Sequence, residues 1–383
     1  MPARMREATR VQGSAVPGRP ISVLVLAPYP YDRAPGQRYR IEQWMPRLEA
    51  LGVRCELQTF EDDALYDLME KSGRWPHKAA RLLARAMRHF SVIPRVARHD
   101  AVFLFREALI FGPALIESVV ARRKPLVFDF DDAIWQARPN RLNPLAPLLK
   151  FQGKTRSIAR QARAVIAGND YLADWARGFN SSVFVVPSTI EMEGSYARAK
   201  QHGQRGPLVI GWSGSFSTLQ YLDQLRPILI ELGKRRPFRL RVICNGPRPD
   251  WPGIDLDWLP WSSADEVRDL LAIDIGLMPQ PDDQWTRGKC GMKALQYMAL
   301  GIPPVVSNNG VLPRIVEDGV SGFLAAEPAQ WLERLDTLAA DPSLRERMGS
   351  AARRTVIDRF SAAAQAPRVA EILRGAAGLA AHG

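Results

Sequence analysis

Little in this chain serves thiol or imidazole chemistry. Among 383 residues there are three cysteines, Cys55, Cys244 and Cys290, and five histidines, at 77, 89, 99, 202 and 382. Three widely spaced cysteines argue against a disulfide framework and for reduced thiols in the cytoplasm. No histidine is placed in sequence to act as a base for Cys290, which reads as a packing residue. No apolar run reaches the roughly 20 residues of a membrane span, and the N-terminus lacks a hydrophobic signal core. Residues 1–19 are predicted to be disordered. A complete Rossmann glycine fingerprint and a Walker A loop are both missing. Helix-turn-helix, zinc-finger and RNA-recognition signatures are missing too, so no nucleic-acid partner is expected.

What the chain has in excess is positive charge, with a net +12. Residues 71–99 hold eight Lys/Arg and no Asp/Glu. Lys78, Arg81, Arg85 and Arg88 recur at helical spacing, with Leu82, Leu83, Ala86, Met87 and Phe90 on another face and Trp75 at the start. The pattern fits either a surface helix with a solvated basic face or, as the favoured reading, a basic amphipathic helix on an anionic membrane.

Apolar runs alternate with helical stretches along most of the chain. Strands are expected at 21–27, 53–60, 101–105, 126–130, 164–167 and 183–186, then at 208–212, 240–244, 273–278 and 304–307. Each is near-continuously apolar, as parallel strands covered on both faces must be. Between the two sets, residues 195–207 lose that periodicity and read as a linker. The length also exceeds one ordinary core. The fold class is therefore α/β, with two doubly wound Rossmann-like domains at 20–194 and 208–361 facing across a cleft. An Ala-rich helical tail covers 362–380.

Two loops fall where such sheets bind ligands. Arg287-Gly-Lys-Cys-Gly-Met-Lys293 sets three cations, Arg287, Lys289 and Lys293, around Gly291 where a helix opens through Met292. Amides at a helix start together with cations make an anion site, and a diphosphate is the expected guest. Upstream, Leu208-Val-Ile-Gly-Trp-Ser-Gly-Ser-Phe-Ser-Thr218 is a strand breaking into a small-residue turn. Gly214 and Ser215 there allow close backbone approach to an anion.

Lys289–Ser307, with its Gly-Ile-Pro-Pro-Val-Val-Ser end, and Ile315-Val-Glu-Asp-Gly-Val-Ser-Gly-Phe-Leu324 resemble the donor-binding segment of the GT-B glycosyltransferases, in particular the family-4 group that builds bacterial polysaccharides and glycolipids. Val185-Val-Pro-Ser188 is similar to the end of that family's N-terminal domain. The resemblance spans roughly residues 21–360. It implies a nucleotide-sugar donor on the C-terminal domain, an acceptor on the N-terminal one, retention of anomeric configuration, no cofactor and a terminal helix crossing back to the first domain. The family usually carries two glutamates seven residues apart. Gly288 and Gln296 stand there, and Gln296 can still hydrogen-bond ribose hydroxyls. The family's basic pair after the first donor-domain strand is absent from 211–222.

In the first domain, Tyr29–Arg40 leaves the first strand, and Gly36 sits where relatives carry a glycine facing the diphosphate. Arg38 would then reach phosphate or acceptor, or stand as a solvated charge. Phe128-Asp-Phe-Asp-Asp-Ala-Ile-Trp135 places carboxylates at 129, 131 and 132 at a strand end. Asp129 and Asp131 share a face, and the resemblance puts Asp131 where relatives carry a histidine near the sugar. These two are the candidate catalytic residues, for stabilising positive charge on the sugar or orienting a hydroxyl. The acidic cluster also has the chemistry of a divalent-cation site, but no metal is expected, since relatives generally act without one. Trp258, Trp261 and Trp285 are read as packing or as base-stacking residues. The expectation is a cytoplasmic, membrane-peripheral glycosyltransferase with a lipid-linked or glycan acceptor. The alternative is a catalytically inert nucleotide- or glycan-binding GT-B protein.

Overall fold

The first strand, Ile21–Ala27, is apolar at all but one position and almost wholly buried, and it lies second from one edge of the first sheet. The computed structural model describes residues 19–71, 73–136, 151, 153–203 and 206–379. Apart from Arg19, the predicted disordered N-terminus lies outside them, as does residue 380 of the tail. Among the described residues, twelve strands form two parallel sheets of six, ordered β2-β1-β3-β4-β5-β6 and β12-β11-β10-β7-β8-β9. In the first, β1 is Ile21–Ala27, β2 Val53–Thr59, β3 Ala101–Phe105, β4 Leu126–Phe130, β5 Ala164–Ala167 and β6 Val183–Val185. In the second, β7 is Leu208–Ser213, β8 Phe238–Ile243, β9 Leu256–Leu259, β10 Ile275–Met278, β11 Pro304–Ser307 and β12 Phe323–Ala325. The α/β expectation of two doubly wound units holds.

Both units present the carboxyl ends of their strands to a common cleft, where such sheets bind ligands. The tail helix Ala362–Ala376 returns to the first sheet. Its Val369, Ala370, Ile372, Leu373 and Ala376 pack with Val23, Val25, Trp44 and Leu48. Arg374 anchors it by donating to the carbonyls of Arg19 (2.9 Å) and Leu51 (2.8 Å).

The segment that reads as a linker is docked rather than loose. Tyr196 is buried, Lys200 pairs with Asp274 at 3.0 Å, and Arg353 donates to the carbonyls of Tyr196 and Ala197. Polar composition hid this, because the contacts are made by backbone carbonyls, one lysine and one aromatic side chain.

The basic stretch also differs from its helical wheel. In the helix Trp75–His89, Leu82 and Ala86 face the core, while Leu83 and Met87 are exposed, as is Phe90 just past its end. Arg85 turns inward and donates to the Phe60 carbonyl at 2.8 Å, and the Lys78 ammonium bonds the Lys71 carbonyl. An exposed apolar stripe therefore remains beside the solvated cations Lys71, Arg74 and Arg88.

Candidate functional site

The helix Met292–Ala299 begins at Gly291, which has φ 68°. A Cβ there would lie 2.3 Å from Ile315, so both conformation and space demand glycine. One turn in, Lys293 lies across the ring of Trp212 at 5.4 Å. A Cβ on Gly214 would meet the Trp212 ring at 2.5 Å and the Lys293 Cε at 2.8 Å, so that glycine makes room for both. The Gly214 amide donates to the Ile243 carbonyl at 3.1 Å. It is thus committed to the sheet, and Gly214 serves by its missing side chain rather than as the amide donor expected. Ser215 remains exposed beside it, with its hydroxyl 2.9 Å from that of Ser217.

Lys293 is half-buried and has no carboxylate partner among the described residues. Desolvation, helped by nearby Lys289, pushes its ammonium down to about 8. Charges drawn out of water are normally paired, and this one has only an indole face beside it.

The three cations expected to act together are split. Lys289 donates to Asp132 of the first domain at 2.7 Å and lies over Trp285 at 4.2 Å. Arg287 makes two bonds to Asp282, at 2.8 and 3.0 Å. It faces a cleft of about 400 Å³ shared with Asn169, Tyr171, Asn309 and Arg314, and Lys293 is not among that cleft's walls. Only Lys293 is left uncompensated, because each of the others finds a carboxylate that sequence spacing does not reveal.

The loop carrying them is fastened to the first domain. Asn169 caps the helix Asp170–Arg177 through its oxygen. Its amide donates across the domains to the carbonyls of Arg287 (3.1 Å) and Lys289 (2.9 Å). Cys290 donates to the Asp131 carbonyl at 3.2 Å, and burial raises its thiol to about 12, leaving no thiolate near neutrality. Gly288 abuts Ala133: a Cβ there would sit 2.8 Å from the alanine methyl.

The amide N–H groups of Gln296 are already engaged and are not free to donate to a ribose. Its amide donates to the hydroxyls of Tyr39 (2.8 Å) and Tyr196 (3.0 Å), and Tyr39 donates on to Glu266 at 2.8 Å. Burial, with Tyr196 and Glu266 nearby, holds the Tyr39 hydroxyl well above its ordinary range, so it stays a donor. Trp261 donates to the other Glu266 oxygen at 3.0 Å. This network joins first domain, connecting segment and second domain. Arg38 leans into it, 3.0 Å from Asp32 and 3.6 Å from Glu266, and is therefore paired rather than poised for phosphate.

The two candidate carboxylates separate as well. Asp129 is fully buried and gripped by Arg40, whose Nε lies at 2.8 Å and which also donates to the Val186 carbonyl at 2.9 Å. With no solvent access, Asp129 cannot touch a substrate and is corrected to a structural ion. Asp131 keeps some exposure, pairs with Arg106 at 2.7 Å, and lies beneath Gly36. Of the aromatics, Trp258 packs beside the second core and Trp285 beside the first. Arg106, just after β3, reads in the sequence as facing the cleft or making a salt bridge, and it pairs with Asp131; Trp212 carries no such mark. Their roles depend on a backbone twist and a ring orientation that composition does not encode.

Comparison with known proteins bears on the family and the fold. Residues 253–355 match the family Glycosyl transferases group 1. A D-inositol 3-phosphate glycosyltransferase of Streptomyces bingchenggensis is 35% identical over 176 residues, 44% of this chain and 33% of that protein. The matched region thus spans about a third of that relative's length. A glycosyltransferase of Rickettsia africae superposes with a TM-score of 0.65 at 14% identity, covering 94% of this chain and 98% of that one. The Anabaena protein HepE, solved with UDP and glucose, superposes with 0.63 at 17%, covering 93% and 100%. The fold is GT-B.

Proposed function

We propose that this chain, a GT-B protein carrying a group 1 glycosyltransferase domain at residues 253–355, transfers a sugar from a nucleotide-diphosphate donor to a lipid-linked or polysaccharide acceptor. The observation that carries the reading is Lys293, a desolvated cation at the carboxyl end of β7 with no counter-ion among the described residues. A donor diphosphate supplies the missing charge. In the transfer, the acceptor oxygen bonds the anomeric carbon and the bond to the β-phosphate oxygen breaks with its electron pair. The hydroxyl proton passes to the released diphosphate. Negative charge grows on the leaving group, so a preorganised cation stabilises the transition state more than the ground state. Retention of configuration follows the family resemblance. HepE's complex with UDP and glucose supports a nucleotide-sugar donor of this kind.

The acceptor is read as lipid-linked because Leu83, Met87 and Phe90 form an exposed apolar stripe beside solvated cations. Such a face suits an anionic bilayer, each cation contributing about 1 kcal/mol. The protein would work at the cytoplasmic leaflet. No helix among the described residues is long and apolar enough to cross a membrane.

The second reading, an inert nucleotide- or glycan-binding protein, is favoured by one fact: the positions of the family's two glutamates hold a glycine packed on Ala133 and a glutamine whose amide donates to two tyrosines. Nucleotide release from UDP-, GDP-, ADP- and TDP-sugars, with phosphatidylglycerol vesicles present, separates the two. Release above the buffer rate with any donor supports transfer; nucleotide binding without release from any of them supports the inert protein.

A further inference from the structure

Arg106 follows β3 with a left-handed backbone, φ 58°, which is costly for any residue with a Cβ. The twist has a visible result. Its amide donates to the Asp129 carbonyl at 2.7 Å, and its guanidinium turns back onto Asp131. Both Nε (2.8 Å) and Nη2 (2.7 Å) meet the same oxygen, Oδ1. The other oxygen, Oδ2, accepts no hydrogen bond from the described residues. It lies 2.8 Å from the point a Cβ on Gly36 would occupy, and Nη2 lies 3.0 Å from that point. A glycine at 36 thus keeps open the ground in front of Oδ2, while the carboxylate retains 10% exposure.

We propose that Arg106 is a positioning residue for Asp131: it pins one carboxylate oxygen so that the other is presented past Gly36 to the sugar or to an acceptor hydroxyl. The inference rests on the glycosyltransferase reading and names the group that would meet the reacting sugar. Asp131 is faced by Arg106 from β3, Arg40 from the segment after β1, Asp129 and Asp132 on its own stretch, and Lys289 and Cys290 from the second domain. Burial works to raise its carboxyl, but Arg106 and Arg40 outweigh burial and hold it below the usual carboxylate range. It is then ionised at neutral pH. Such a group is a weak proton acceptor but a good stabiliser of positive charge and a good hydrogen-bond acceptor.

The test compares wild type, Arg106→Lys, Arg106→Gln and Gly36→Ala for nucleotide release from UDP-glucose, GDP-mannose, ADP-glucose and TDP-glucose across pH. Arg106→Gln should lower kcat by about tenfold or more with little change in KM. The acid limb of its pH profile should move to higher pH, because Asp131 has lost its nearest cation. Arg106→Lys should restore that limb, and Gly36→Ala, whose added methyl would meet Oδ2 at 2.8 Å, should lower kcat. If wild type turns over but Arg106→Gln keeps its kcat and acid limb, the positioning role is wrong and the transferase reading stands. If wild type neither binds nucleotide nor releases it from any donor, both fall together.

Discussion

Arg40 and Lys293 are cations drawn wholly and partly out of water, and they differ in what answers them. Arg40 in the first domain is fully buried, bonded twice to Asp129 and once to the Val186 carbonyl. Lys293 in the second has an indole face, a glycine above it, and no counter-ion among the described residues. A satisfied buried ion is architecture, since its partners are already the right number and distance. An unsatisfied one is destabilising by itself and is retained because something else completes it. The same contrast separates Asp129 from Asp131, and Gln296, held by two tyrosines, from the ribose-binding role the family resemblance assigns.

The largest effect comes from breaking the satisfied pair. Asp129→Asn should destabilise the fold by about 3–5 kcal/mol, because Arg40 is left charged in the interior, and urea denaturation reads this directly. Removing the unsatisfied cation should do the reverse to the apo protein. Lys293→Met should hold or raise its melting temperature while abolishing nucleotide stabilisation, worth roughly 2.7 kcal/mol at a hundredfold excess over Kd.

The sign of the pH dependence sharpens this. Lys293 titrates near 8 when folded, below its unfolded value. The unfolded chain therefore binds more protons between those values, and apo stability gains from this group as pH rises from about 8. Nucleotide affinity should move oppositely, weakening as the ammonium loses its proton. Lys293→Arg should erase that weakening, as isothermal titration at pH 6.5 and 9 would register.

Smaller effects belong to the contacts between domains. Tyr39→Phe removes the hydroxyl that serves Glu266, Gln296 and Tyr196 together, costing about 1–3 kcal/mol. Asp132→Asn breaks the partly exposed pair with Lys289, worth roughly 1 kcal/mol or less. Its clearer signature is faster hydrogen exchange over residues 284–291, which that pair fastens to the first domain.

These comparisons explain what the sequence could disclose. Strands such as β3, with every residue of Ala101–Phe105 buried, announce themselves because parallel strands covered on both faces leave no polar alternation. β12 does not, being three residues inside a turn-rich stretch. Gly291 and Lys293 were legible because a helix start and its charges are local. The partners of Lys289 and Gln296 were not, since each lies in the opposite domain or far along the chain: Asp132 is 157 residues from Lys289. The identity of a charge is written locally, but whether it is already answered is decided by the fold.

The most direct test is thermal denaturation of wild type and Lys293→Met at pH 7 with UDP, GDP, ADP and TDP in turn. The account predicts a selective rise with one nucleotide in wild type and none in the variant. An equal rise in both proteins, or no rise with any nucleotide in either, would contradict the assignment of Lys293 to a diphosphate.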